Sequence, residues 1–309
     1  MNKKLAIGVD LGGTNLRVAL ITNDGAVIKR EKEPTSKTVL DSLDSMLESF
    51  FSEDVAGIGL GVAGLIDRKS GTMINSPNIP VLNGRNLANE MQAQFGVPVF
   101  IENDANVAAL GEKWIGAGKE FSDFVLFTLG TGIGGGIIKD NRLLSVAAEI
   151  GHMAIQTNGQ KCFCGSSGCL ETHASARAIV SKVTSALEKG RESMLRQLHG
   201  GNPYRLAAED IFKMSLEGDS LAREILKDAG KCLGIGIANI INILSPQAII
   251  IAGGLVGAWD IYIMEAIKEA SKRAFHELFD RVKIIPSSLG DDAGIIGSAG
   301  LVFQGLEST

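Results

Sequence analysis

The sequence predicts an α/β fold built as two domains of related plan. Three observations carry that expectation. Strand-length apolar runs alternate with helical spacing, a glycine-tipped hairpin pattern beginning at residue 6 returns at residue 124, and 309 residues exceed one ordinary small core. Laying Leu129-Gly130-Thr131 on Leu11-Gly12-Gly13 puts both glycine tips in register. The self-similarity is faint and runs at half-chain scale, unlike a short solenoid repeat.

Taken in chain order, residues 5–10 and 16–21 read as strands joined by Leu11-Gly12-Gly13-Thr14-Asn15. Residues 39–51 carry apolar side chains at helical spacing, 56–62 form a buried strand run, and 87–95 are helical again. A strand over 97–101 leads into an apolar helix over 107–114, and the repeated hairpin occupies 124–138. Helices follow over about 175–189, 207–217 and 220–244, then a strand over 248–252, a Gly-Gly turn and a helix over 258–279. A strand over 282–286 precedes the glycine-rich 292–300 and a closing helix. The expected domains are 1–117 with 291–309, and 118–290.

Charge and composition exclude several classes of partner. Thirty-five acidic against thirty basic residues, a net of −5, give no general attraction to nucleic acid or anionic lipid, which leaves small molecules. The most apolar region, 233–255, is interrupted by Asn239, Asn242, Ser245, Pro246 and Gln247 and cannot span a bilayer. The opening residues lack the apolar core and cleavage site of a secretory signal, so a soluble, cytoplasmic protein is expected. Cys162, Cys164 and Cys169 cluster while Cys232 stands apart on an apolar helix, which is no disulfide framework.

The chemistry concentrates at the glycine turns. Backbone N–H groups in a tight glycine turn approach phosphate oxygens without a Cβ in the way, and 10–15 and 129–136 both meet that need. Neither is followed by Gly-Lys-Ser/Thr, so neither is a Walker loop; each alone also reads as a plain hairpin turn. Asp10 at the strand end is a candidate for Mg²⁺ through water, or simply a turn-starting Asp. Gly253 and Gly254 between a strand and a helix suit nucleotide contact, or a tight connection. Glu102-Asn103-Asp104-Ala105-Asn106 stands where a strand gives way to a helix. There Asp104 can take a proton from an attacking hydroxyl while Asn103 orients the acceptor, and an N-cap cluster is the competing reading.

His152, Cys162, Cys164 and Cys169 fall within 18 positions, with Gly165 and Gly168 supplying turns. Three thiolates and an imidazole form the ligand set of a closed, structural zinc site. Glu149 and Glu171 flank that stretch as acceptors for polyol hydroxyls, or as ordinary solvated carboxylates.

With these residues in place, the chain resembles the ROK family of sugar kinases and sugar-responsive repressors, and within it the bacterial glucokinases. The likeness rests on Gly8-Val-Asp-Leu-Gly-Gly-Thr14, residues 102–106, residues 129–136, Glu149-Ile-Gly-His152 and Cys162-x-Cys-Gly-x-x-Gly-Cys-Leu-Glu171. It implies an α/β, actin-like, hexokinase-type (ribonuclease H-like) fold of two domains around a central cleft. The C-terminal helix would return to pack on the first domain. It also implies ATP and Mg²⁺ as cofactors, Asp104 as catalytic base and a structural Zn²⁺. By the same likeness Gly64, Asn78, Asn103, Glu149, His152 and Glu171 hold the hexose. Asp10, Gly12, Gly13, Thr14, Gly130, Thr131, Gly132, Gly253 and Gly254 hold the nucleotide. The expected activity is phosphorylation of glucose at the 6-hydroxyl by a homo-oligomer, dimer or tetramer. The rivals are another hexose such as mannose, fructose or an N-acetylhexosamine, and a sugar-sensing repressor. Against the repressor stand the acidic balance and the few residues ahead of the first strand, where such repressors carry a helix-turn-helix.

Overall fold

The computed structural model describes residues 5–67 and 70–307; the reading of the amino-terminal residues 1–4 lies outside them. The opening hairpin is β1 (Leu5–Leu11) and β2 (Asn15–Thr22), and β3 (Val27–Pro34) extends it. Next come α1 (Val39–Phe50), β4 (Val55–Val62), β5 (Leu65–Asp67), β6 (Thr72–Asn75), α2 (Leu87–Phe95), β7 (Val99–Asn103) and α3 (Asp104–Trp114). The first sheet runs β3-β2-β1-β4-β7, antiparallel through β3-β2-β1 and parallel from β1 through β4 to β7. β3 went unforeseen because seven of its eight residues are exposed and it carries no core-facing apolar alternation.

Further along lie β8 (Phe124–Leu129), β9 (Ile133–Lys139), β10 (Arg142–Leu143), α4 (Glu171–Ala174), α5 (Ala176–Glu188), α6 (Ala208–Leu216) and α7 (Ser220–Leu244). They are followed by β11 (Ala248–Ala252), α8 (Met264–Arg273), α9 (His276–Phe279), β12 (Lys283–Pro286) and α10 (Ala293–Glu307). The second sheet runs β10-β9-β8-β11-β12, with β11 and β12 parallel. The single helix expected over 258–279 is instead a 3₁₀ turn (Gly254–Ala258), a π turn (Trp259–Ile263), α8 and α9. Ala274 leaves the helix in an extended conformation, and the next N–H, of Phe275, donates to Asn242 Oδ1 at 3.0 Å.

Two compact units result. The first holds the described residues up to Leu126, Gly136–Ala148 and those from Ser287 on; the second holds Phe127–Gly135 and Glu149–Pro286.

In the first unit the sheet is covered on both faces, and the period-two rule sorts its residues. Ile7, Val9 and Leu11 of β1 and Ile58, Leu60 and Val62 of β4 join Leu43, Met46, Leu47 and Phe50 of α1 in one core. The opposite face is small where α10 crosses it: Ala6 and Ala19 join Ile21, Ile295, Ile296, Ala299 and Val302 in a second core, and glycines fill the centre. A Cβ on Gly8 would lie 2.1 Å from the Ile295 carbonyl oxygen, and one on Gly59 would lie 1.8 Å from that of Ser298. The glycines of β4 therefore let α10 lie backbone-close against the sheet. Ser298, wholly buried there, donates to the carbonyls of Val9 (2.7 Å) and Gly294 (2.8 Å). α10 packs equally close on α3, where a Cβ on Gly297 would stand 1.6 Å from the Val107 carbonyl. Glu112 of α3, also wholly buried, accepts from the N–H groups of Ala117 (2.7 Å) and Leu289 (3.0 Å) and from the Ser287 hydroxyl.

In the second unit α7 packs on α8 by the same device. Cβ atoms on Gly230 and Gly234 would each come 2.5 Å from a carbonyl, of Tyr262 and Ala266. Tyr262, fully buried, donates its hydroxyl to the Ala174 carbonyl at 2.7 Å. Among the described residues no helix is long and apolar enough to cross a membrane.

Candidate active site

The first glycine turn is held by its own hairpin. Gly12 N–H donates to the Asn15 carbonyl at 3.0 Å, and the Gly12 carbonyl accepts the Thr35 hydroxyl at 2.7 Å. The next residues, Gly13 and Thr14, form the tip of the turn. Gly13 is glycine for a packing reason: a Cβ there would stand 2.7 Å from the side chain of Asn78. Asp10 pairs with Arg17 across the hairpin, and Arg17 Nη1 lies 3.4 Å from Asp10 Oδ2. Arg17 also donates to Asp291, to its carbonyl at 2.8 Å and its carboxylate at 3.1 Å. Burial, and next the charge of Asp104, push the Asp10 carboxyl up to about 7 although Arg17 pulls the other way. A half-buried carboxylate with a second one nearby has the donor chemistry to hold Mg²⁺.

Asp104 is the first residue of α3, placed by the end of β7. Each member of that polar run has a separate task. Glu102 accepts from Asn103 N–H (2.8 Å) and from Asn106 Nδ2 (3.0 Å), and Asn106 also donates to the Val146 carbonyl. Asn103 is the N-cap: its Oδ1 accepts from the N–H groups of Ala105 (2.9 Å) and Asn106 (3.3 Å), while its Nδ2 donates to the Gly64 carbonyl (3.1 Å). The cap thus belongs to Asn103, and the Asp104 carboxyl accepts from Ala105 N–H at 2.9 Å. Burial raises its proton affinity, opposed by that N–H and by the Asn103 side chain. Gly64 needs glycine, with φ +141° and a would-be Cβ 2.5 Å from the Asn75 carbonyl.

In the second unit the other loop closes in the same manner, Gly130 N–H donating to the Gly132 carbonyl at 3.0 Å. Gly253, at φ +90°, abuts the Leu129 backbone, where a Cβ would fall 2.4 Å from the carbonyl oxygen. That contact brings Gly253-Gly254 beside the 129–132 turn. Glu171 is buried, and its Oε2 accepts the Ile133 N–H at 2.8 Å. A Cβ on Gly132 would lie 2.4 Å from that same oxygen. Gly151 packs on the Ile133 carbonyl, which ties the 149–152 turn to the same strand. A cavity of about 640 Å³ opens beside Thr131, lined also by Ala176, Val180, Thr184, Glu188 and Tyr204.

The four metal-type residues converge. One donor atom from each of His152, Cys162, Cys164 and Cys169 lies within 4.8 Å of the others. Cys162 Sγ is 3.5 Å from His152 Nδ1, and Cys164 Sγ is 3.7 Å from Cys169 Sγ. Bonds of about 2.3 Å to sulfur in a tetrahedron put ligand atoms about 3.8 Å apart, so the cluster fits zinc. Burial and the neighbouring thiols push Cys169 up to about 12, while the Ser166 N–H pulls Cys164 down. With Nδ1 turned to the thiols, His152 Nε2 points toward Glu149, 3.9 Å from its Oε2. Cys232 is half-buried on α7, away from the cluster's donor set.

Several residues at the site were not singled out from sequence. Arg17 was legible in principle, because the hairpin that pairs Leu11 with Leu16 must set Asp10 opposite Arg17. Glu102 lies near the end of β7 and Asn106 in the first turn of α3, so the contact between their side chains depends on the strand-to-helix bend and not on helical spacing. Arg177, which reaches Glu171, has no local signal.

Residues 6–304 match the ROK family model. Over 312 residues the chain is 35% identical to a glucokinase of Thermotoga maritima, covering 98% of each chain. Over 317 residues it is 32% identical to a xylose repressor of Caldicellulosiruptor bescii, covering 98% of this chain and 79% of that protein. A solved ROK family glucokinase from Streptomyces griseus, in complex with glucose and AMPPNP, superposes with a TM-score of 0.85 at 31% identity. That match covers 97% of this chain and 99% of that one.

Proposed function

Because the chain belongs to the ROK family and has the actin-like, hexokinase-type α/β fold of its solved relatives, we propose that it is an ATP-dependent glucokinase. The observation that carries this reading is the placement of Asp104. Its carboxyl is half-buried, spared from capping by Asn103, and close enough to Asp10 for its charge to help push that group up to about 7. A base and a carboxylate suited to a phosphate-bound cation thus occur together beside a glycine turn.

In the proposed reaction Asp104 accepts the proton of the glucose 6-hydroxyl as its oxygen attacks the γ-phosphorus of ATP. The bond from that phosphorus to the β-phosphate oxygen breaks, and ADP leaves. Gly64, Asn78, Asn103, Glu149, His152 and Glu171 hold the sugar hydroxyls, so that positioning supplies most of the rate. Gly12, Gly13, Thr14, Gly130, Thr131, Gly132, Gly253 and Gly254 receive the nucleotide, with the cavity beside Thr131 taking its nucleoside. Asp10 would hold Mg²⁺, which supplies charge neutralisation of the polyphosphate. His152, Cys162, Cys164 and Cys169 would hold a structural zinc ion that fixes the segment between Glu149 and Glu171. A cytoplasmic setting and a homo-oligomeric state belong to the same proposal.

The test is ADP release across glucose, mannose, fructose and N-acetylhexosamines, with Asp104→Asn alongside. Glucose should give the highest kcat/KM, and the variant should bind it while turning over about 10² to 10⁴ more slowly. A variant with wild-type kcat would remove Asp104 from its role. Hexose binding without turnover by the wild type, with salt-dependent DNA binding, would move the assignment to a sugar-responsive repressor.

A further inference from the structure

We propose that Arg177 is a positioning residue through which occupancy of the phosphoryl-donor cavity sets affinity for the sugar. This rests on the kinase reading above and goes beyond it. Glu171 has one carboxylate oxygen on the Ile133 N–H, next to the second glycine turn, and the other on Arg177 Nη2 at 3.0 Å. Arg177 itself is 57% exposed and lines the cavity together with Thr131. Its guanidinium stands over the Phe163 ring, 5.6 Å from the centroid, and that ring meets the His152 ring edge-on at 5.2 Å and 82°. One planar cation therefore touches the donor cavity, a sugar-binding carboxylate and the zinc-bearing segment.

The position is not chosen for the helix. Ser175 caps α5, accepting from Ala178 N–H at 3.2 Å, so Arg177 lies in the first turn, where a cation opposes the helix dipole. Its partners account for it instead. A guanidinium carries five donors in a fixed fork, and the contact to Glu171 uses one. With the nucleoside in the cavity, the phosphates of the donor lie at its Thr131 end and engage other N–H groups of the guanidinium, and the rigid fork then fixes Glu171 before the sugar arrives. Binding of one substrate thus favours the other, by the same factor in both directions.

The experiment titrates glucose into the full-length protein with and without Mg²⁺ and the non-hydrolysable analogue AMPPNP. Wild type, Arg177→Ala, Arg177→Lys and Phe163→Leu are compared. The analogue should tighten glucose binding by wild type about 5-fold or more, the low end of ordinary coupling. In Arg177→Ala the factor should fall to about 1, with glucose KM raised more than kcat is lowered. Arg177→Lys should restore part of it, and Phe163→Leu, which leaves the Glu171 ion pair in place, should reduce it. Equal factors in wild type and Arg177→Ala would overturn the inference, as would an analogue that leaves wild-type glucose affinity unchanged. Both results leave the kinase assignment standing if wild type still turns over glucose. Loss of glucose binding by wild type itself would remove that assignment and this inference with it.

Discussion

Asp10→Asn should stabilise the ligand-free protein above neutral pH while damaging its use of Mg·ATP. The carboxyl is moved from 3.8 to about 7, first by burial and second by Asp104, with Arg17 opposing and Asp291 adding repulsion. Between those two values the folded chain holds a proton that the unfolded chain has released. Stability therefore falls as pH rises from about 4 to about 7, the sign expected for an acid whose folded pKa is raised. A shift of about 3 units at 1.36 kcal/mol each sets a ceiling near 4 kcal/mol. The side chain is 18% exposed and pairs with Arg17, so about 2 kcal/mol is the working figure. Asparagine keeps the shape and cannot ionise. Urea unfolding at pH 5 and pH 8 should show wild type losing about 1 kcal/mol more than the variant, because only about two-thirds of the window from 3.8 to about 7 lies in that interval. Other carboxylates titrate in the same range, so the difference between the two proteins is the quantity to read. Parallel curves for the two would refute the placement of Asp10 as a half-buried, charge-crowded acid.

Three further outcomes are expected. Metal analysis should find about one zinc per chain, and Cys169→Ser should lower both zinc content and melting temperature; zinc-free protein with full activity would count against the site. Gly132→Ala should displace the Glu171 carboxylate from Ile133 N–H and raise hexose KM about tenfold, roughly 1.4 kcal/mol, with less effect on kcat. An unchanged KM would mean that Glu171 does not serve the sugar. Glu112→Ala should cost about 2 to 4 kcal/mol in denaturant unfolding, since it strips the shared acceptor from Ala117, Ser287 and Leu289; a loss under about 1 kcal/mol would show that water replaces it freely.

How far the sequence carried depends on the range of each interaction. Hairpins, long helices and the convergence of His152 with Cys162, Cys164 and Cys169 were legible because period, turn chemistry and residue spacing are local. The strand at 56–62 was seen as buried, but its alternating Gly57, Gly59 and Gly61 were not read as the seat of a helix that arrives more than 200 residues later. Asn103 illustrates the opposite limit. Its cap and the base at 104 were competing readings of one polar run; the hydrogen bonds give the cap to Asn103, and the base at 104 is a proposal. Glu171 was a candidate from its flanking place alone. Its burial, its bond to Ile133 N–H and its pairing with Arg177 need three chain segments brought together, which no pattern along the chain encodes.

The backbone-close seat of α10 also bears on how the protein is made. β1, β4 and α3 leave the ribosome early, yet the helix that covers their glycine face is translated only after every residue of the second unit. Until then that face stays wet, and Ser298 is not yet present to bond the Val9 carbonyl. The nascent first unit must wait half-finished while its neighbour is synthesised. α3, the helix that α10 clamps, is therefore set in place among the last events of biogenesis.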